Sequence, residues 1–324
     1  MSHFSDVERA CVIEGVADAA ASVITIDLVA ANGRDLPPFT PGSHIDLLMT
    51  TAEGDRVERQ YSLCGDVADR TRYRVAVLRE SDGKGGSELA HSLRPGDALR
   101  IRGPRNHFHF EPAPGAPVIF VAGGIGITPF LAMAAEAAAQ GIEFELHYAG
   151  RSRSAMAFVA ELENTYGERA HVYDASAGAR LDVAEVLGNA PRGSEVYCCG
   201  PVRLVQAVEQ AVTAWPAGSV HVEHFEAKEF GEPLWRDTFE VELALSGMTL
   251  DVPPDRTILE VVEENGVLVV SSCRRGTCGT CETPVVDGEI EHRDSVLTPE
   301  EQADGETMMI CVSRANCSRL VLDL

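Results

Sequence analysis

The stretch Ser271–Glu282, SSCRRGTCGTCE, sets three cysteines within nine residues and separates them with arginine, threonine and glycine. Cys273, Cys278 and Cys281 follow the spacing C-x4-C-x2-C, and Cys311, in MMICVSR, comes after 29 intervening residues. Gly276 and Gly279 let the backbone close on the sulfurs. The chain has nine cysteines, an odd and unevenly spaced set, so they do not read as a disulfide framework. Cys11, Cys64, Cys198 and Cys199 read as small buried side chains.

Three clustered cysteines with a lone distant fourth have the ligand order of a plant-type [2Fe–2S] centre. That chemistry needs four thiolates around two irons, with backbone N–H groups aimed at sulfur. A structural zinc remains a competitor, although zinc sites usually pair two short cysteine knuckles and Cys311 stands alone. Cys317, six residues beyond Cys311, is the other candidate for the fourth position and reads as an incidental thiol. Around the loop, TFEVELALSGMTLDV alternates on both sides of Ser246 and Gly247 as a hairpin. TILEVVEENG is a helix closed by Gly266, and SRLVLDL supplies a last strand. This segment covers 238–324, after a polar linker over 227–237 containing Gly231 and Pro233.

Upstream, over 107–226, the rhythm differs. APVIFVAGGIGITPFLAMAAEAAAQG gives a buried strand (Val118 to Ala122), a glycine turn and an alanine-rich helix ending near Gly141. Strand, turn and helix recur as FELHYAG before AMAFVAELENTYG, and as EVYCCG before PVRLVQAVEQAVTAW, which predicts a doubly wound parallel sheet. The turn GGIGITP, with Gly123, Gly124, Gly126, Thr128 and Pro129, follows a strand and opens a helix, so its N–H groups can receive a pyrophosphate. Alone it is also compatible with an ordinary turn. Cys199, Gly200 and Pro201 in CCGP are a second strand end of this kind, and two such ends make a nucleotide crevice. Asp174 in YDASAG either meets a ribose hydroxyl, favouring NADH, or is a solvated turn residue; Arg151 and Arg153 keep NADPH open.

Over 1–106, short alternating runs (SVITIDLVA, SHIDLLM, RYRVAVL) between Gly, Pro and Asp turns predict an antiparallel β-barrel. Arg59, Tyr61 and Ser62 in ERQYSL combine a cation, a ring and a hydroxyl. GKGGSE offers Lys84, Gly86 and Ser87 before a short helix. By themselves these residues indicate an anion site; Tyr61 also suits a core and Arg59 a surface.

The 27 basic and 50 acidic residues among 324 give a formal charge of −23, which argues against nucleic acid and anionic membranes and suits a basic partner or simple solubility. No apolar run approaches the roughly 20 residues of a membrane span, and MSHFSDVERA lacks a signal-peptide core. A cytoplasmic protein, monomeric in isolation, is expected.

Together these motifs resemble the phthalate dioxygenase reductase family over nearly the whole chain. The resemblance implies a multidomain order of FMN-binding antiparallel β-barrel, α/β doubly wound NAD domain and α+β β-grasp plant-type ferredoxin. The family's R-x-Y-S appears as Arg59, Tyr61 and Ser62, and its G-R-G-G-S as GKGGS, with Lys84 in place of arginine. That replacement exchanges a bidentate fork for a point charge. The resemblance also assigns Val77 to FMN, Thr128 to flavin or nicotinamide, and Phe225 to a place against the flavin ring, where an ordinary core phenylalanine is the other reading. FMN is implied over FAD because no insertion accommodates an adenine half.

The implied activity is transfer of a hydride from NADH to FMN, then of single electrons through the cluster to a terminal Rieske-type oxygenase. The cofactors carry the chemistry, so no catalytic side chain is assigned. A haem-thiolate monooxygenase as partner, or a non-enzymatic redox sensor, are the alternatives. Glu282, Asp287, Glu289, Glu291 and Asp294 are expected to surround the cysteine loop and either steer a basic partner or form a solvated rim.

Overall fold

The computed structural model describes residues 7–80, 85–227 and 230–324. The chain divides into two compact units, one ending at Phe225 and the other beginning at Glu226.

The first unit opens with β1 (Arg9–Ala20), β2 (Val23–Ala30), β3 (His44–Thr50), β4 (Arg56–Ser62) and β5 (Arg72–Leu78), then a short helix α1 (Gly86–Ser92) and β6 (Ala98–Arg105). Their sheet has the order β4-β3-β6-β1-β2-β5, with every pairing antiparallel. A bridge from Leu63, just past β4, to Val75 on β5 brings the two edges together and closes a barrel. Its interior is filled by the inward residues of each strand, such as Ile13, Ile26, Leu28, Leu47, Val75 and Ile101. That is the period-2 pattern of a strand with one face in a core.

A second sheet follows from β7 (Val118–Gly123), α2 (Thr128–Gln140), β8 (Phe144–Gly150), α3 (Val159–Tyr166), β9 (Ala170–Asp174), α4 (Val183–Gly188), β10 (Glu195–Cys199), α5 (Val202–Ala211) and β11 (Val220–Glu223). All five strands are parallel, in the order β11-β10-β7-β8-β9. Strand β7 is buried along its whole length, as expected for a strand covered on both faces. One face packs on α2 and α3 through Phe120, Phe144, Phe130 and Leu162. The other packs on α4 and α5 through Val121, Cys198, Leu187 and Val208. The order reverses between β7 and β10, so the topological switch lies at Gly123 and Cys199. A small cluster ties this sheet to the barrel: Val23, Cys64 and Ala76 pack with Ala157, Ile125 and Phe158.

The second unit contains β12 (Phe239–Leu243), β13 (Met248–Val252), α6 (Ile258–Glu264), β14 (Glu282–Asp287), β15 (Ile290–Glu291), α7 (Pro299–Asp304), β16 (Thr307–Met309), β17 (Arg314–Ala315) and β18 (Arg319–Leu322). Its main sheet runs β13-β12-β18-β14-β16, with β12 and β18 parallel. Helix α6 packs Ile258, Leu259 and Val262 across it. Thr257 and Glu260 form a reciprocal capping box at the start of α6. This is a mixed sheet grasping a helix. No helix among the described residues is long and apolar enough to cross a membrane.

Candidate cofactor sites

The cysteine loop lies between α6 and β14, and Cys311 follows β16. The thiols of Cys278 and Cys311 both point at the Cys273 sulfur, and Cys311 also contacts Cys281. Sulfur is therefore grouped as Cys273 with Cys278 and Cys281 with Cys311, joined through Cys273 and Cys311. Sharing protons in this way holds the Cys273 thiol below the usual range and pushes those of Cys278 and Cys311 up. Four crowded thiols of this kind are a donor set for metal. The grouping into Cys273 with Cys278 and Cys281 with Cys311 suits two irons better than one zinc.

Local backbone completes the fit. The amide of Arg275 donates to Cys273 Sγ at 3.3 Å, and Thr280 Oγ1 lies 3.1 Å from Cys278 Sγ. Gly276 has φ 69°, and a Cβ there would lie 2.5 Å from Val312 and 3.1 Å from the Asp294 backbone. Only glycine permits that turn at that proximity. Cys317 is held elsewhere: its thiol donates to the Arg319 carbonyl at 2.9 Å and accepts from the Glu289 amide at 3.3 Å.

At the switch point, the two predicted strand ends meet. A Cβ on Gly126 would lie 2.8 Å from the amide nitrogen of Gly200, and one on Gly123 would lie 2.7 Å from Pro201. Gly124, at φ 56°, faces open space. These glycines fit a nucleotide cradle, where the backbone N–H groups of the turn lead into α2. Pro129 stands in the first turn of α2, and the Thr128 hydroxyl donates to the Ile125 carbonyl at 3.0 Å. Asp174, at the end of β9, is half-buried and accepts from the Ser176 hydroxyl at 2.6 Å, the Arg153 amide at 3.1 Å and the Ser176 amide at 2.8 Å, which together hold its carboxyl below the usual range. It thus braces the loop after β8. The Arg153 side chain is taken by Glu163.

Sequence reasoning missed Glu223. It ends β11, which pairs with β10 so that Glu223 lies opposite Cys199. Burial pushes its carboxyl up to about 8, and the Cys199 thiol lies 3.8 Å from it. The signal was present in VEHFE, but its value depends on β11 lying beside the switch point.

On the barrel, β4 carries Arg59, Tyr61 and Ser62. A Cβ on Gly86 would lie 2.8 Å from the Arg59 guanidinium carbon, so the guanidinium lies against the first turn of α1. The two barrel motifs therefore converge. The Ser87 hydroxyl accepts from the Glu80 amide at 3.1 Å. The Ser62 hydroxyl is buried without a hydrogen-bonding partner among the described residues, which is the observation a flavin polar group would explain. Burial pushes the Tyr61 phenol up. Phe225 lies beyond the end of β11 and is 39% exposed, so it is not the core phenylalanine of the other reading. Lys84 lies outside the described residues.

The Val77 side chain is packed in the barrel core, and its carbonyl lies 3.0 Å from His91 Nε2. One expectation is corrected. The acidic residues do not form a solvated rim on the cysteine loop: Asp294 lies against Gly276 of the loop. Asp294 is buried, where it accepts from the Val296 and Leu297 amides, and Glu291 accepts from the Leu234 amide. Glu282 is half-buried, while Asp287 ends β14 at the far end of the strand from Cys281.

These sites define an oxidoreductase that joins a pyridine nucleotide, a flavin and a [2Fe–2S] cluster in one chain. A model described as "2Fe-2S iron-sulfur cluster binding domain" matches residues 241–316, and one described as "Oxidoreductase FAD-binding domain" matches 27–110. Phenoxybenzoate dioxygenase subunit beta of Ectopseudomonas oleovorans is 42% identical over 315 residues, 96% of each chain. The solved phthalate dioxygenase reductase, described as a modular structure for electron transfer from pyridine nucleotides to [2Fe-2S], is 37% identical at a TM-score of 0.69, covering 98% of both chains. A self-sufficient type IV cytochrome P450 monooxygenase is 43% identical at a TM-score of 0.92; the match covers 98% of this chain and 41% of that larger one.

The chain belongs to the phthalate dioxygenase reductase family. The family works with FMN, NADH and a [2Fe–2S] cluster, and the similar relatives include reductase components of several oxygenase systems. Full-length similarity to such reductases sets aside the redox-sensor reading.

Proposed function

We propose that this chain oxidises NADH at the β7–β10 switch point and delivers electrons through FMN and its four-cysteine cluster to a terminal oxygenase of the Rieske type. The observation that carries the reading is the convergence of Gly126 and Cys199–Gly200 in the unit whose barrel presents the unpartnered Ser62 hydroxyl. Bound FMN supplies the conversion of a two-electron donor into single electrons, which a cluster accepts one at a time. Arg59 and the amides at the start of α1 hold the flavin phosphate, and Ser62 meets a polar edge of the ring. Phe225 covers the ring until nicotinamide replaces it. Among the described residues α1 is the one regular element between β5 and β6, which supports FMN over a flavin carrying an adenine half.

Gly124 and Gly126 receive the pyrophosphate, and Pro201 and Cys199 wall the nicotinamide. Asp174 favours NADH by disfavouring a 2′-phosphate in the loop it braces. Glu223 is neutral near pH 7 and keeps a formal negative charge away from the crevice. Cys273, Cys278, Cys281 and Cys311 hold the cluster, with Arg275 and Thr280 tuning its sulfurs.

A haem-thiolate partner is the second reading, favoured by the similarity to the reductase portion of the cytochrome P450. The deciding experiment supplies NADH and this protein to a purified Rieske oxygenase or to a haem-thiolate monooxygenase domain, and follows reduction of each. Faster transfer to the Rieske centre supports the proposal; selective reduction of the haem protein overturns it.

A further inference from the structure

Strands β8 and β9 pair with His147 opposite His171 and Ala149 opposite Tyr173. On the face toward α4, alternation places Glu145, His147, His171 and Tyr173 together, and Glu145, His147 and Tyr173 line a cleft of about 460 Å³ with Asp182 and Glu185. The cluster lies apart from the glycine turn and from CCGP, although Tyr173 adjoins Asp174, and it plays no part in the proposed electron path. The imidazoles stack with centroids 4.6 Å apart and planes 12° apart. Glu145 Oε2 lies 3.2 Å from His147 Nε2 and 3.9 Å from His171 Nε2, and the three donor atoms are all within 4.8 Å of one another. His171 Nε2 is shielded from solvent with no hydrogen-bonding partner among the described residues.

We propose that Glu145, His147 and His171 form a binding site for a divalent transition-metal ion, with Tyr173 orienting His147 from behind. Two imidazoles and a carboxylate suit zinc, and three protein ligands leave a position for water. Metal–ligand bonds of about 2.0–2.2 Å place tetrahedral ligand atoms roughly 3.4 Å apart. The gaps of 3.2 and 3.9 Å bracket that spacing, and because the stacked rings hold their nitrogen lone pairs in near-parallel planes, one imidazole must turn about its side-chain bonds to bring both nitrogens onto one ion. Tyr173 Oη lies 2.9 Å from His147 Nδ1, which is the outer contact that fixes a ligating histidine's tautomer. Asp182 and Glu185 outnumber Arg180 in the cleft, so the local charge favours a cation. The competing interpretation is a cross-strand polar pair in which Glu145 bridges two rings and binds no metal.

The test is calorimetric titration of the purified, cluster-containing protein with Zn²⁺, followed by zinc-edge X-ray absorption of the one-equivalent complex. One ion per chain is expected, with Kd below about 100 µM. His171→Gln and Glu145→Gln should each weaken it at least about tenfold, and Tyr173→Phe by a comparable factor. His171 is 39% exposed, so its replacement leaves no cavity. The absorption spectrum should show nitrogen and oxygen neighbours with imidazole scattering. Binding weaker than about 1 mM, unchanged affinity in His171→Gln, or a sulfur shell near about 2.3 Å would each overturn the proposal.

Discussion

Gly126→Ala probes the contact on which the nucleotide site depends. The added Cβ would lie 2.5 Å from the carbonyl carbon of Cys199 and 2.8 Å from the amide nitrogen of Gly200. Favourable carbon contacts are about 3.5–4.0 Å, so the turn and the end of β10 must separate by roughly 1 Å. Both obstacles are backbone, and neither can rotate aside. Overpacking of this kind costs about 1–3 kcal/mol. If that cost falls on the crevice, NADH half-saturation should rise about 5- to 150-fold. Gly124→Ala is the companion: beyond the backbone strain of an alanine at φ 56°, its methyl would enter open space and meet only a bound nucleotide. The assay is steady-state NADH oxidation with ferricyanide as acceptor, alongside the visible absorbance of the cluster, which belongs to the other unit and should be unchanged. A half-saturation within twofold of the parent, at an unchanged thermal midpoint, would refute the reasoning.

Cys311→Ser should lose iron and the visible cluster absorbance, whereas Cys317→Ser should retain both; iron content and the spectrum decide it. Glu223 yields a pH prediction. Its carboxyl is raised from 4.5 to about 8, so the folded unit keeps a proton that the unfolded chain has released between those values. Stability therefore declines as pH rises through that window, and the whole cost is present above it. Glu223→Gln should raise the thermal midpoint at pH 9 by at least about 2 °C and leave it unchanged at pH 4. Thermal melts at both values would expose the opposite pattern.

What the sequence disclosed was what local order encodes. Cys273, Cys278 and Cys281 share one loop, so their spacing reads directly as a ligand set, and the glycine turn announces itself between a buried strand and an alanine-rich helix. CCGP could be joined to that turn because parallel strands place their C-terminal ends at one edge of the sheet. What stayed hidden depended on register. Glu223 matters only because β11 lies beside β10, and Glu145, His147 and His171 meet only because β8 and β9 pair without offset. Asp294 read as a solvated acid because sequence does not show that the Val296 and Leu297 amides and the Ser313 hydroxyl bury it.

The central claim is that electrons from NADH cross a flavin to reach the four-cysteine cluster. The most direct measurement is an anaerobic titration of the purified protein with NADH, followed across the visible spectrum. The account predicts that flavin absorbance bleaches and iron–sulfur absorbance falls within the same titration. Flavin reduction that leaves the cluster oxidised, or a colourless protein containing zinc, would contradict it.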